Sequence, residues 1–222
     1  MGRIKLIDIL AIVVSLIPFA VYAIVRPSLP DRIPIHWNVS GDVDGWTSRD
    51  QLPMFLGTMA ALGFALYLLT RFMKKLDPKR SARVSETTAA RIGFGIVVFM
   101  CAINCLILAP GLGKFNMTTT LVVMVSLLYT FLGNLMYNIK PNYFIGIRLP
   151  WTLESDDNWR RTHRLAGAVW FVGGLVSATL AMFIEPKIMF IVFMSITATL
   201  VLVPGIYSFV IFRQSTSGSH SD

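Results

Sequence analysis

Six apolar segments, each long enough to cross a lipid bilayer as a helix, constrain the fold of this chain more than any other feature. A helix rises about 1.5 Å per residue, so about 20 apolar residues cross a hydrocarbon core of about 30 Å. The segments lie at residues 6–25, 52–70, 92–112, 115–139, 165–184 and 188–212. Lipid cannot satisfy backbone polar groups, and the alternation typical of barrel strands is absent. The sequence therefore predicts an all-α polytopic membrane protein with six transmembrane helices.

The composition supports the same class. Hydrophobic residues make up 55% of the chain and charged residues only 14%, whereas an ordinary soluble domain is about 25% charged. The formal net charge of +8 would suggest nucleic-acid binding if the basic residues formed one surface. They fall instead in short blocks between the apolar segments. We therefore expect anionic lipid headgroups as their partner, with no direct binding of nucleic acid.

The distribution of basic residues predicts the orientation in the membrane. Of the 20 Lys and Arg, 15 lie before the first apolar segment, in residues 71–91, in residues 140–164 or after the last segment. The positive-inside rule places these regions, and hence both termini, in the cytoplasm. Residues 26–51, here the first connector, then form a structured external loop. Residues 140–164, here the second connector, form a structured internal loop.

This layout also predicts the organisation of the chain. Residues 1–72 would hold the first two helices with the first connector. Residues 73–213 would hold a four-helix membrane region with the second connector. The polar, Ser-rich residues 214–222 are predicted to form a disordered tail.

The first connector has the pattern of a structured loop. Pro34 favours extended backbone, and the Gly and Asp residues that follow it favour turns. Trp37 and Trp46 are expected to anchor at the headgroup level, where tryptophan rings are enriched. The sequence therefore predicts a small external lid that lies on the membrane.

His36, Asp42 and Asp44 of the first connector offer an imidazole and two carboxylates, which could bind a metal or another ligand. No spaced pair of His or Cys supports a metal site, however, and short motif matches often arise by chance. We therefore favour the interpretation that the acidic residues cap turns, and we expect neither a metal nor a cofactor.

A helix is predicted to begin inside the second connector. Ser155 is a good N-cap, and Asp156 and Asp157 then fall in the first turn, where the helix dipole favours negative charge. Asp156 with Arg160, and Asp157 with Arg161, form acid-first pairs four residues apart. Each pair contributes about 0.2–0.5 kcal/mol. These pairs give modest support to the helix.

Trp159 and His163 are also four residues apart, so their rings share one stripe of this helix. We expect the stripe to lie along the membrane surface. No Ser, Cys or carboxylate constellation accompanies His163, and the predicted topology puts His36 across the membrane. The sequence therefore predicts that the protein is not an enzyme.

The basic residues of the second connector have two interpretations. Arg148, Arg160, Arg161 and Arg164 could simply attract anionic lipid, at about 1 kcal/mol for each basic residue. Alternatively, they form a recognition surface, since loops with defined caps, tryptophans and prolines usually position functional groups. Both interpretations place this face in the cytoplasm.

Two stretches resemble a known family. The stretch NYFIGIRLPWTLESDDNWRRTHRLAG, with the preceding Gly133 and Asn134, is similar to the signature of the SdpI family of bacterial immunity and signal-transduction membrane proteins. The matching connector residues are Asn142, Gly146, Arg148, Pro150, Trp151, Thr152, Leu153 and Trp159. The stretch LPDRIPIHWNVSGDVDGW resembles a small domain of unknown function at the N-terminus of that family, through Leu29, Pro30, Ile33, Pro34, His36, Trp37 and Gly41.

The resemblance implies a bacterial plasma-membrane protein that gives immunity to a secreted, membrane-active toxin peptide. It also implies signalling, in which a transcriptional repressor is held at the cytoplasmic face. The first connector would then meet the peptide, and the second connector would receive the regulator. The predicted partner-binding residues of the second connector are Asn142, Gly146, Arg148, Pro150, Trp151, Thr152, Trp159, Arg160, Arg161, His163 and Arg164.

A small transporter or exporter of a peptide or another solute is the alternative. Pro18, Pro110 and Pro204 could break helices, and several segments contain polar residues such as Asn104. Ionisable residues that usually mark an ion or proton pathway are missing from the last four segments. A vesicle uptake assay would separate transport from immunity.

Overall fold

The computed structural model describes residues 5–38, 42–76, 84–109 and 116–218. The described part of the chain is helical apart from a small β-hairpin and the connecting loops. Its elements are α1 (Leu6–Val25), a 3₁₀ turn (Arg26–Ser28), β1 (Arg32–Trp37), β2 (Val43–Ser48), α2 (Leu52–Leu76), α3 (Glu86–Ile107), α4 (Met117–Met136), α5 (Pro150–Glu154), α6 (Asp156–Leu180) and α7 (Pro186–Gly218).

Within these ranges, five helices are long and apolar enough to cross a membrane, namely α1, α2, α3, α4 and α7. Helix α6 also has 25 residues, but it does not meet this criterion. Its first two turns are polar, because the helix begins at Asp156, and it ends at Leu180 rather than at residue 184. Because the helix ends at Leu180, the apolar part of α6 is shorter than the predicted segment at residues 165–184.

The helices form two packed groups. In the first group, α1 and α2 both pack against α3, and in the second, α6 packs between α4 and α7. Helices α4 and α6 make the most extensive contact, and their backbones approach closely where Gly133 faces Gly167. A Cβ atom on Gly133 would lie 2.5 Å from the backbone nitrogen of Phe171. Small residues thus allow close backbone packing, as is typical of membrane helices.

The first connector forms an antiparallel hairpin of β1 and β2, an element that the all-α prediction did not include. Ile33 is fully buried, and together with Leu29 it packs against Leu52 of α2 and Leu108 after α3. An isolated two-stranded hairpin is marginally stable in water, so this apolar contact with the helices holds it in place. Gly41 lies outside the described residues.

The second connector packs at the opposite end of the same helices. Its residues Phe144 and Ile145 contact a buried cluster. Met73 of α2, Val84 just before α3 and Ala89 of α3 form this cluster. Helix α2 therefore begins at the hairpin and ends at the second connector. The two connectors thus lie at opposite ends of the helical bundle.

The described part of the chain ends in helix, whereas the sequence predicted a disordered tail from residue 214. Helix α7 continues to Gly218, and residues 219–222 lie outside the described part. Ser215 and Thr216 donate their hydroxyl groups to the carbonyl oxygen of Phe212, one turn back in the helix. These local hydrogen bonds let polar residues extend a helix beyond its apolar segment.

Candidate functional site

The second connector begins with a loop that one asparagine organises. Asn142 is fully buried, and its side-chain nitrogen donates to the carbonyl oxygens of Lys140 and Ile145 at 2.9 and 3.0 Å. Its side-chain oxygen accepts from the backbone nitrogens of Phe144 and Ile145 at 2.8 and 2.7 Å. The amide group thus replaces the backbone pairing that a helix or strand would provide.

Gly146 brings this loop against helix α6. It has φ of +110°, a conformation that residues with a Cβ atom rarely adopt. A Cβ atom at this position would lie 2.3 Å from Nε2 of His163. Both the backbone conformation and the lack of space therefore require glycine.

His163 joins the loop to α6 by two hydrogen bonds. The backbone nitrogen of Ile147 donates to its Nε2 at 3.0 Å, so Nε2 carries no proton. Its Nδ1 lies 2.9 Å from the carbonyl oxygen of Trp159, to which it donates. The imidazole is thus neutral, and burial lowers its pKa from 6.5 to about 4. Both ring nitrogens are occupied, which leaves His163 without a free base for catalysis.

Trp159 and His163 do share a stripe of α6, but the stripe faces the protein interior. Each side chain is 1% exposed, and their rings stack with centroids 4.0 Å apart. Trp159 donates its Nε1 hydrogen to the carbonyl oxygen of Ile139 at 2.8 Å. The prediction that this stripe lies along the membrane surface is therefore wrong. The stripe is buried because the loop from Asn142 to Arg148 folds back over α6.

The short helix α5 is fixed by its own capping residues. Pro150 occupies the first turn, and the Thr152 hydroxyl accepts from the backbone nitrogen of Leu149 at 2.9 Å. Thr152 is fully buried and also lies 2.9 Å from the carbonyl oxygen of Ile147. These contacts tie α5 to the loop before it.

Helix α7 holds α5 and α6 through one buried serine. The Nε1 hydrogen of Trp151 is donated to the hydroxyl of Ser208 at 2.9 Å, and Asn158 donates to the Ser208 carbonyl oxygen at 2.9 Å. Thr162 in turn donates to the side-chain oxygen of Asn158. The sequence analysis missed Ser208, because a lone serine in an apolar segment gives no signal of its partner. The spacing of Asn158 and Thr162 could have indicated a shared helix face.

The predicted helix start is confirmed. The Ser155 hydroxyl accepts from the backbone nitrogen of Asn158 at 3.2 Å, and α6 begins at the next residue. Asp157 pairs with Arg161 at 3.7 Å, as its spacing predicted. Asp157 also pairs with Arg160 at 2.5 Å.

The arginine side chains of the second connector point away from this buried core. Arg148, Arg160, Arg161 and Arg164 are all exposed. The guanidinium group of Arg161 lies 6.0 Å from the ring centre of Tyr207, and that of Arg164 lies 5.9 Å from the ring centre of Tyr137. We call these four residues the arginine face. Aromatic contacts position two of them while leaving their charges accessible.

The first connector brings together only part of its predicted ligand set. Nδ1 of His36 lies 2.5 Å from a carboxylate oxygen of Asp44, and both side chains are exposed. Asp42 instead hydrogen-bonds with Asn38 at the end of the hairpin. Within the described ranges, no group of three or more His, Cys, Asp or Glu side chains is placed to hold a metal ion.

The aromatic residues and the proline of the first connector lie on the hairpin itself. Trp46 is 46% exposed, stands opposite Pro34 in the strand register, and has the guanidinium group of Arg32 5.4 Å from its ring centre. Trp37 is half-buried and pairs with Val43. Their role as interfacial anchors stays a prediction.

The fold and these two connectors define a multi-pass membrane protein with a structured loop region at each end of its bundle. Residues 138–210, which include the second connector, match the SdpI/YfhL protein family. Residues 13–60, which include the first connector, match a domain of unknown function, DUF1648. The resemblance to the SdpI family is thus confirmed.

One curated relative extends this similarity over most of the chain. Immunity protein SdpI of Bacillus subtilis (strain 168) is 25% identical over 195 residues, which cover 88% of this chain and 91% of the relative. No solved structure matches the chain significantly. The similarity supports a plasma-membrane location.

Proposed function

We propose that this protein protects a bacterium against a secreted, membrane-active toxin peptide, and that it relays the peptide's presence by recruiting a transcriptional repressor to its cytoplasmic face. The family match over residues 138–210 and the similarity to an immunity protein support the first part. The second part, recruitment of a repressor, rests on the same similarity and assigns the docking role to the arginine face.

One observation carries the proposal: the second connector has a buried set of residues that fixes its conformation and a separate, exposed set of arginines. The buried residues Asn142, Thr152, Trp159 and His163 satisfy their polar groups inside the protein, so they position the connector. The arginine face is left exposed on that rigid base. A rigid loop with outward cations fits recognition of an acidic protein surface better than a flexible spacer would.

The proposed topology has six spans with both termini in the cytoplasm. In this arrangement the part of α6 after its polar start is the sixth membrane span. The hairpin faces the outside of the cell, and the arginine face lies in the cytoplasm. The positions of the connectors at opposite ends of the bundle support it. The excess of basic residues on the proposed cytoplasmic side supports it as well.

Cysteine labelling tests this topology. In a background with Cys101→Ala and Cys105→Ala, the exposed residues Asp42 and Glu154 are replaced one at a time by cysteine. An impermeant maleimide added to intact cells should label position 42 but not position 154. After the cells are lysed, both should react. Equal labelling of both positions in intact cells would overturn the arrangement.

Protection is tested by expressing the full chain in a sensitive bacterium and challenging it with a panel of secreted membrane-active peptides. Cells with the protein should survive at least one peptide that kills cells carrying the empty vector. A panel that kills both strains equally, with the protein present in the membrane, would contradict the proposed immunity.

The signalling half is tested with the arginine face. Arg160→Ala combined with Arg164→Ala should abolish the transcriptional response to a peptide, whereas the double replacement by lysine should retain most of it. Lys187→Ala, which removes an exposed charge at the start of α7 and the far end of the bundle, is the control. A normal response in the double alanine variant would exclude the arginine face as the docking surface.

Transport is less well supported by the polar groups in the described spans. Ser126 and Ser177 hydrogen-bond to each other, and the Asn104 amide donates to the carbonyl oxygen of Leu56. Pro18 and Pro204 lie inside continuous helices, and Pro110 lies outside the described residues. These groups join helices to each other rather than line a continuous pathway.

A further inference from the structure

A charged cavity lies between α1, α2 and the start of α3, and none of the predicted site residues lines it. It has a volume of about 480 Å³. Its polar wall carries four basic side chains and two acidic ones, namely Lys5, Arg71, Lys74, Lys75, Asp8 and Glu86. The described wall therefore has an excess of two positive charges at neutral pH.

The two acidic groups are already engaged with the protein. Asp8 accepts from Nε of Arg71 at 2.9 Å and from the hydroxyl of Tyr67. Glu86 accepts from Lys5 at 2.7 Å and lies 3.9 Å from Lys74. Their charges are matched within the wall, so the excess of positive charge remains available to an anion.

The other wall of the cavity is apolar and continues along the outside of the bundle. Ile12 of α1, and Phe64, Leu68 and Phe72 of α2, line it. Ile12, Leu68 and Phe72 are 49%, 38% and 44% exposed, so they face the hydrocarbon in a membrane. On α2 the apolar residues are spaced four apart, which places them in one stripe that leads from the charged mouth toward the bilayer centre.

The depth of the cavity matches the level of lipid headgroups. Lys5 immediately precedes α1, and Arg71 immediately follows the apolar segment at residues 52–70. The charged mouth therefore lies at the edge of the hydrocarbon core, where phosphate groups are found.

We propose that this cavity binds one anionic phospholipid, with its phosphate at Lys74 and Lys75 and an acyl chain along the stripe of α2. The combination of a cationic mouth and an apolar groove matches the two parts of a lipid. A free phosphate would contact only the mouth. The site does not depend on the proposed immunity function.

The bound lipid would also support the second connector. Met73, Val84 and Ala89 line the cavity, and the same three residues form the cluster that contacts Phe144 and Ile145. A lipid in the cavity thus lies one layer of side chains from the loop that Asn142 organises. Occupancy should therefore stabilise that loop.

The test measures lipid retention by the full chain, purified from vesicles that contain phosphatidylcholine and phosphatidylglycerol. Native mass spectrometry should show one retained phosphatidylglycerol. Lys74→Gln combined with Lys75→Gln should weaken its binding by roughly fivefold for each lysine. The matched control, Arg160→Gln combined with Arg164→Gln, removes the same charge from the arginine face and should retain the lipid.

A variant with tighter lipid binding is also needed, because a loss of binding alone could result from misfolding. Glu86→Gln removes an acidic charge that competes for Lys5 and Lys74, so it should bind phosphatidylglycerol more tightly than the wild type. Equal loss in the lysine variant and its control would show diffuse attraction and overturn the site. Equal retention of phosphatidylcholine, or displacement of the lipid by millimolar inorganic phosphate, would overturn the assignment of an anionic phospholipid.

Discussion

Replacement of Gly146 by alanine is the sharpest perturbation of the second connector. The added Cβ atom would lie 2.3 Å from Nε2 of His163, and the residue must keep φ of +110°. Holding a residue with a Cβ atom in such a conformation costs about 1–3 kcal/mol. Moving His163 away also breaks its hydrogen bond with Ile147, and a buried donor left unpaired costs about 1–3 kcal/mol.

The sum is about 2–6 kcal/mol of lost folding free energy. For a chain of this size each kcal/mol lowers the unfolding midpoint by about 2–4 °C, so Gly146→Ala should lower it by roughly 4–24 °C. Thermal unfolding in detergent, followed by circular dichroism, measures this shift. Because the loosened loop carries the exposed Arg148, trypsin should also cleave after that residue faster than in the wild type.

Gly205→Ala is the matched control, since no atom lies within 4 Å of the position that its Cβ atom would occupy. Alanine in the helix should leave stability unchanged or raise it by up to about 1 kcal/mol. If Gly146→Ala unfolds at the same temperature as Gly205→Ala, and cleavage after Arg148 is unchanged, the proposed contact of the loop with His163 is refuted.

Two further predictions concern α6. Because the pKa of His163 is lowered to about 4, its contribution to stability is complete above about pH 6.5 and is lost as pH falls toward 4. Between pH 6.5 and pH 4 the free energy of unfolding of the wild type should fall by about 3 kcal/mol more than that of His163→Gln. The free energy of unfolding of each protein is measured at each pH, and parallel pH dependences of the two proteins would contradict this prediction. Gly133→Ala should force α4 away from the backbone of Phe171 and cost about 1–3 kcal/mol in thermal unfolding, again with Gly205→Ala as control. Equal midpoints for those two alanine variants would rule out a close crossing at Gly133.

Local signals in the sequence predicted local structure well. The first apolar segment, residues 6–25, coincides with α1, and Ser155 caps α6 as its residue type indicated. These features depend on a few neighbouring residues. Capping, charge in the first turn and the length of an apolar segment all act within about two helical turns, so they can be read without knowledge of the fold.

The pairing of distant residues was not predictable in the same way. Nothing in the sequence connects Ser208 with Trp151 and Asn158, and the pairing of Arg71 with Asp8 joins residues from different helices. Asp8 is an acid inside the first apolar segment, residues 6–25. Its partner could not be predicted because several arginines and lysines follow the apolar segment at residues 52–70, and hydropathy does not distinguish among them.

The sequence by itself determined that the chain is a helical membrane protein, where its apolar helices lie and where α6 begins. It also showed that Trp159 and His163 share one face of α6. Only the tertiary structure decided that this face is buried beneath the loop of Gly146, while the arginine face remains exposed. The physical reason is that lipid and protein interior are both apolar. Helical periodicity reveals which residues lie together, but hydrophobicity in a membrane does not reveal whether they face lipid or another part of the chain.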